Sequence, residues 1–347
     1  MVLAVRLYVP SALHSHHMLT AIYVVHFYKY LPSIRVIDEI YMKILNFGSL
    51  NIDKVYEVDH LVRPGETITS RSYKEFCGGK GLNQSIALAS AGAKVYHAGK
   101  IGRDGLFLKK FLEKAGVDVS KIDFTEGPSG HANIQVNRNG ENSIVLFGGA
   151  NQRITEKDVG NIIHEFNPGD YILLQNEISA IPEILRRASE ANLNIVFNPA
   201  PMGPEVLRYP LNGVKYFIMN EIEGEGFTGE KEPEHIISNL LTTFPNASII
   251  LTLGENGVFY ADQEKRLFTP VEKVVALDTT GAGDTFVGYF VAELVAGLSV
   301  EKCLRTASQA AAICVTRPGA AESIPKKGEL SRLGREDAST ERNRREN

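Results

Sequence analysis

The chain has 347 residues, with 37 Lys plus Arg against 41 Asp plus Glu and a net charge of −4. At about 150 residues per domain this length holds two domains or one large α/β unit with a sizeable core. The balanced charge excludes a footprint for a nucleic-acid backbone, and 44% apolar against 22% charged residues excludes a mostly disordered chain.

Residues 1–41 are rich in aromatics, His and β-branched residues, with no acid before Asp38. Their most apolar stretch, 18–25, is followed by no small-residue cleavage site, and Pro10, Pro32, His14, His16 and His17 interrupt its surroundings. Neither a signal peptide nor a spanning helix is expected, and the histidines read as an incidental cluster rather than a metal site. Regular patterning begins at Met42, so 1–41 is an N-terminal extension that the native chain need not carry. Cys77, Cys303 and Cys314 are widely spaced without a CxxC pair. That excludes a disulfide framework or zinc site and fits a cytoplasmic protein.

From 42 to 325, short β-rich runs alternate with helical patterns. Strands are predicted at 43–49, 95–100, 171–175, 194–198, 216–220 and 248–252, mostly as continuous apolar runs. Helices are predicted at 82–91, 105–115, 181–191 and 235–241. The alternation specifies an α/β fold, a mainly parallel central sheet with helices on both faces. Residues 54–76 and 131–147 break the pattern: they alternate, and Asn139-Gly140 marks a hairpin. They form a small antiparallel β lid whose apolar face must cover a ligand or another subunit. Residues 326–347 carry dense mixed charge and read as a flexible tail.

Two motifs carry chemistry. In "LDTTGAGDTFVGYFVAELVAG" (277–297), a strand-like run at 273–277 leads into Gly281, Ala282 and Gly283, and a buried apolar helix begins near Asp284. Small residues at a helix N-terminus bring N–H groups close to a phosphate, making an anion hole. A carboxylate on that first turn is ordinarily a cap. Beside an anion loop it would repel the ligand, and a general base facing a substrate hydroxyl resolves the conflict. In "CGGKGLNQSIALASAG" (77–92), glycines around Lys80 precede a second apolar helix. No Ser or Thr follows Lys80, so this is not a Walker A loop. Lys80, Asn83 and Gln84 suit sugar hydroxyls, and "GSLNID" sets Asn51 and Asp53 just past the first strand, where open α/β sheets bind ligands.

Together these residues resemble the ribokinase-like (PfkB) family of carbohydrate kinases over about 43–325. The glycine motif at 78–84 and "DTTGAGDTF" at 278–286 match, with further segments "GGAN", "LLQNE", "NPAP", "NEIE", "LTLGENG" and "VTRPGAAES". The resemblance implies ATP-dependent phosphorylation of D-ribose at O5. A sibling activity on deoxyribose, another pentose or a nucleoside is the alternative. It implies that Asn51, Ile52, Asp53, Gly79, Lys80, Gly81, Leu82, Asn83 and Glu177 line the sugar site, with Asp284 as general base. Asn220, Thr252, Leu253, Gly254, Glu255, Asn256, Gly257, Gly283 and Ser308 would hold ATP; at Ser308 many relatives have Asn. Glu223 would organise Mg²⁺ through water. Asp278, Thr280, Cys314, Arg317, Gly319 and Ser323 would hold K⁺, mostly through backbone carbonyls. Pairing of the β lid in a homodimer is also implied, with no nucleic-acid or membrane partner. The GxGxxG spacing of a dinucleotide-dependent oxidoreductase is absent, and the presence of Asp284, Asn220 and Glu223 argues against a non-catalytic sugar sensor.

Overall fold

The computed structural model describes residues 42–330, so the N-terminal extension with its histidines and tail residues 331–347 lie outside the described residues. In chain order the first strands are β1 (Ile44–Phe47), β2 (Asn51–Glu57), β3 (Ser72–Gly78), β4 (Val95–Ile101), β5 (Asp118–Phe124), β6 (Gly130–Val136) and β7 (Asn142–Phe147). They are followed by β8 (Tyr171–Gln175), β9 (Asn194–Asn198), β10 (Val214–Asn220), β11 (Ser248–Thr252), β12 (Val258–Ala261) and β13 (Arg266–Thr269). The helices are α1 (Lys80–Ser90), α2 (Leu106–Lys114), α3 (Glu156–Ile163), α4 (Ile181–Glu190), α5 (Glu221–Thr228), α6 (Pro233–Thr243), α7 (Ala282–Val295) and α8 (Val300–Cys314).

The large sheet runs β13-β12-β11-β10-β9-β8-β1-β4-β5, parallel from β11 to β5, with β12 and β13 added antiparallel at one edge. Successive side chains leave a strand on opposite faces, so each apolar run feeds two cores. Ile44, Leu173, Val196, Ile218 and Ile250 pack with Leu82, Phe286, Tyr289 and Leu304 of α1, α7 and α8. Leu45, Phe47, Leu174, Phe197 and Phe217 pack on the other face with Val159, Ile184, Leu185 and Ile236 of α3, α4 and α6. Helices on both faces are what all-parallel strands demand.

All six predicted strands and all four predicted helices form, with ends shifted by at most three residues. One strand-like run does not: residues 273–277 have no partner strand among the described residues. Val275 is 91% and Leu277 69% exposed, and the segment is tied instead to the end of α8, where Leu277 and Asp278 N–H both donate to the Val315 carbonyl (2.8 and 3.1 Å). Apolar composition alone does not make a strand where the sheet has already ended at β13.

The second sheet runs β3-β2-β6-β7. Its outer pairs β2–β3 and β6–β7 are antiparallel, and a parallel β2–β6 ladder joins them. The β6–β7 turn passes through Asn139 and Gly140, the latter at φ 81, closed by Asn137 N–H to the Glu141 carbonyl at 3.0 Å. Register places Phe76, Asp53, Ala132 and Leu146 in one row and Lys74, Val55, Ile134 and Ile144 in the next, on the same face. Among the described residues no helix is long and apolar enough to cross a membrane, and Cys77, Cys303 and Cys314 are buried and free.

Candidate active site

The site forms where the parallel strands end. On the face covered by α1 and α7 the apolar rows of β1, β4, β8 and β9 finish in polar residues: Asn46, His97, Gln175 and Asn198, all buried. β1, β8 and α1 converge there. Leu82 N–H donates to the Ser49 carbonyl (2.9 Å) and Gly81 N–H to Ser49 Oγ (3.1 Å). Glu177, just beyond β8, accepts from Ser49 Oγ (2.5 Å) and from Lys80 N–H (3.0 Å). Its carboxylate thus serves the open N-terminus of α1, where negative charge is favoured. Burial pushes the Glu177 carboxyl up, while Lys80 and the Ser49 bond pull it back.

Lys80 faces three acids. Asp284 raises its ammonium pKa most, burial opposes, and Glu177 and Glu223 add to the rise. One fixed cation therefore serves a cluster whose own charges repel.

Asp284 lies on the first turn of α7 and is 8% exposed. It caps nothing with its side chain. Oδ2 accepts from Asn83 Nδ2 and Oδ1 from Gln84 Nε2, each at 2.9 Å. The helix starts at Gly281, at φ 76, where an added Cβ would stand 3.1 Å from Ala320 Cα. Only a residue without a side chain permits both that turn and that approach.

Asp53 enters from the small sheet. Its carboxylate lies over Gly78, where an added Cβ would fall 2.0 Å from Oδ2. Burial, then Glu177 and Glu322, push its pKa up to about 7. Asn51, two residues earlier, accepts at Oδ1 from Asn151 Nδ2 at 2.7 Å. Ile52 and Leu82 belong to the first core, so only their backbone is available to a ligand. Asn83 Oδ1 is buried without a hydrogen-bond partner among the described residues.

A cavity of about 660 Å³ opens on the other side of the α7 N-terminus. Thr252, Gly254, Glu255, Asn256, Gly257, Ala282, Gly283 and Ser308 line it, together with Val271 and Phe286. At Gly283 a Cβ would meet nothing within 4 Å, so the backbone there is open to a ligand. Ser308 Oγ is buried with no hydrogen-bond partner among the described residues. This chemistry fits a nucleotide: an apolar slot, a spare hydroxyl and a helix N-terminus for phosphate. Leu253 instead packs in the second core.

Asn220 and Glu223 are joined as a capping box on α5, outside the lining of that cavity. Asn220 Oδ1 accepts from Glu223 N–H (2.9 Å), and the Glu223 carboxylate accepts from Asn220 N–H (2.9 Å) and Nδ2 (3.2 Å). Burial raises the Glu223 pKa, and the Asn220 bond opposes this. Each Glu223 oxygen thus accepts one bond from Asn220 and keeps a lone pair free.

Behind the glycine loop, Asp278 accepts from Thr280 N–H and Gly319 N–H, both at 2.9 Å. Burial works against the ionised form, yet these bonds hold Asp278 below the usual carboxylate range. Cys314 Sγ contacts Ser323 Oγ at 3.0 Å and lies 3.9 Å from the Thr280 carbonyl. The structure thus gathers Asp278, Thr280, Cys314, Gly319 and Ser323, an oxygen-rich set suited to an alkali cation. The Arg317 side chain turns to Glu329 (2.6 Å). Among the described residues no cluster of three His, Cys, Asp or Glu side chains could hold a metal ion.

Residues 42–327 match the pfkB family of carbohydrate kinases. The chain belongs to that family. Among its relatives, the ribokinase of Haemophilus influenzae is 36% identical over 294 residues, covering 81% of this chain and 95% of that protein. The crystal structure of Cryptococcus neoformans ribokinase in complex with ADP is 35% identical, with a TM-score of 0.75 over 84% of this chain and 99% of that one. The structure of Arabidopsis thaliana ribokinase complexed with ribose and ATP is 28% identical, with a TM-score of 0.75 over 84% of this chain and 98% of that one.

Sequence reading missed Ser49, which ties Glu177 to α1, and the buried row Asn46, Gln175 and Asn198. The available signal was positional: each of those three is the polar residue ending, or nearly ending, an apolar strand on the α1 face.

Proposed function

We propose that this carbohydrate kinase transfers the γ-phosphoryl group of ATP to O5 of D-ribose, with Asp284 as general base. The observation that carries this reading is the position of Asp284, a buried carboxylate on the α7 turn whose Gly283 faces the 660 Å³ cavity, held by α1 residues next to Lys80. In this reading sugar lies among Asn51, Asp53, Gly79, Lys80, Gly81, Asn83 and Glu177. Burial and neighbouring acids act on the Asp53 carboxyl without a protein hydrogen bond among the described residues, and a sugar hydroxyl would satisfy it. The Asn83 Oδ1 acceptor serves a second hydroxyl.

Asp284 takes the O5 proton as the oxygen attacks phosphorus in line, and ADP leaves. First-turn N–H groups of α7, at Gly283 and Asp284, receive the transferring group; that of Ala282 already reaches the Thr279 carbonyl at 3.3 Å. Mg²⁺ bound with ATP would supply charge neutralisation at the phosphates, and Glu223 would act on it through water. K⁺ among Asp278, Thr280, Cys314, Arg317, Gly319 and Ser323 would add fixed positive charge behind the loop, Arg317 and Cys314 through their carbonyls. A second copy of this chain would cover the small sheet, where Ile144, Val145, Leu146 and Phe147 are each about half exposed or more.

ADP release measured across D-ribose, 2-deoxyribose, other pentoses and nucleosides tests the reading. Preference for D-ribose supports it. Preference for 2-deoxyribose or a nucleoside assigns the chain to a sibling kinase, because a pocket built for a hydroxyl rejects the analogue that lacks it.

A further inference from the structure

The buried amides beneath Asp284 form one connected network. A carboxylate can only accept, so Gln84 must turn Nε2 toward Asp284 Oδ1 (2.9 Å), which leaves Gln84 Oε1 to accept from Gln175 Nε2 (2.6 Å). Gln175 Nε2 also donates to Asn46 Oδ1 (3.0 Å), and Asn46 Nδ2 donates to the Gly81 carbonyl (2.7 Å) and to Ser85 Oγ (2.8 Å). Asn198 Nδ2 donates to the Ile218 carbonyl (2.9 Å), so its Oδ1 is free to accept from Gln84 Nε2 (3.1 Å). Donation runs outward from Gln175 Nε2 in two branches, through Gln84 to the Asp284 carboxylate and through Asn46 to the Gly81 carbonyl, so the acceptor at the end of each branch fixes the orientation of its amides. Flipping Gln84, Gln175 or Asn198 would set acceptor against acceptor at its neighbours, although Gln175 Oε1 is itself buried without a partner among the described residues. Gln84 and Asn46 are fully buried and Gln175 is 1% exposed.

We propose that Gln84 is a positioning residue for catalysis, transmitting the rigidity of β1, β8 and β9 to the Asp284 carboxylate. Asn83 and Gln84 each take one Asp284 oxygen, so the carboxylate cannot rotate about its last bond, and its remaining lone pairs keep one aim toward the sugar hydroxyl. This rests on the reading of Asp284 as general base. A chain of amides serving only to satisfy the core is the competing role, and it would affect stability without separating kcat from KM.

Three variants distinguish the two. Gln84→Met keeps length and removes the donor. It is expected to lower kcat roughly 10- to 100-fold with KM for sugar and ATP within about threefold. Gln175→Met should lower kcat less, and the double variant should be no slower than Gln84→Met alone, because Gln175 acts through Gln84. Gln84→Glu presents a carboxyl that can donate to Asp284 only when protonated, so its kcat relative to wild type should rise as pH falls. Lys80, Glu177 and Glu223 are the other charged groups facing Asp284; they are common to both proteins, and Asp284→Asn combined with Gln84→Glu shows how far the new carboxyl shifts them. Folded Gln84→Met with kcat within twofold of wild type, or a flat Gln84→Glu ratio between pH 5 and 8, overturns the inference. If Gln84→Met does not fold, Gln84→Glu and Gln175→Met decide it. If wild type turns over no sugar, the proposed activity fails by itself. Additivity of the unfolding free energies of Gln84→Met, Asp284→Asn and their double variant would in any case overturn the tie itself.

Discussion

Asn83 Nδ2 donates to Asp284 Oδ2 at 2.9 Å, joining residues 201 apart in the chain. The bond makes one site of two glycine-rich helix starts, α1 and α7. The sugar-side residues of the first and the anion-receiving turn of the second meet at a single carboxylate.

Asp284→Asn is therefore expected to fold and bind sugar while losing roughly 10²- to 10⁴-fold in kcat, the usual scale for a general base. Asn keeps the shape but cannot take a proton. Steady-state kinetics check this, and retention of more than about a third of normal turnover contradicts the assignment.

Asp53 gives a pH signature in stability. Its carboxyl holds a proton up to about pH 7 in the folded chain against an ordinary value of 3.8. The folded state is thus favoured below 3.8, and that advantage is lost as pH rises through 7. Asp53→Asn removes the dependence. The variant should gain thermal stability relative to wild type at pH 8 but not at pH 4, read by thermal denaturation without sugar. Equal differences at both values refute the burial of this acid.

Gly78→Ala should act on the sugar alone. Its Cβ would fall 2.0 to 2.6 Å from the Asp53 carboxyl atoms, which must move aside. KM for ribose should rise at least tenfold, with KM for ATP within twofold; an unchanged sugar KM places Asp53 outside the pocket.

The K⁺ set can be tested by replacing KCl with tetramethylammonium chloride at saturating Mg²⁺. Activity should fall several-fold and return with K⁺ more than with Na⁺. Equal rates in both salts remove the proposed cation.

Ile134 sits between Val55 and Ile144 on the Asp53 face of the small sheet. Ile134→Glu should turn a sedimenting dimer into monomer and raise KM for ribose more than for ATP. A wild-type monomer at micromolar concentration ends the dimer proposal.

Much of this was legible because it is local. "DTTGAGDTF" holds its turn, its helix start and Asp284 within nine residues, and the parallel strands were read from apolar runs covered on both sides. β5 was missed because its outer positions are polar, as befits an edge, and 273–277 was overread because nothing in an apolar run reveals whether a neighbouring strand exists. The Gln84–Gln175 bond spans 91 residues. Only the register of crossovers brings those amides together, so no local pattern announces them. Asn220 and Glu223 were legible as a pair, yet their spacing serves equally as a helix cap, which is how the structure uses it.

The most direct measurement is ³¹P NMR of the chain incubated with D-ribose, ATP, Mg²⁺ and K⁺. ADP and a phosphomonoester coupled to the C5 protons should appear in equal amounts, and neither should form with Asp284→Asn at comparable times. Inorganic phosphate released in place of a sugar phosphate, or a phosphoryl group on C1, would contradict transfer to O5 with Asp284 as its base.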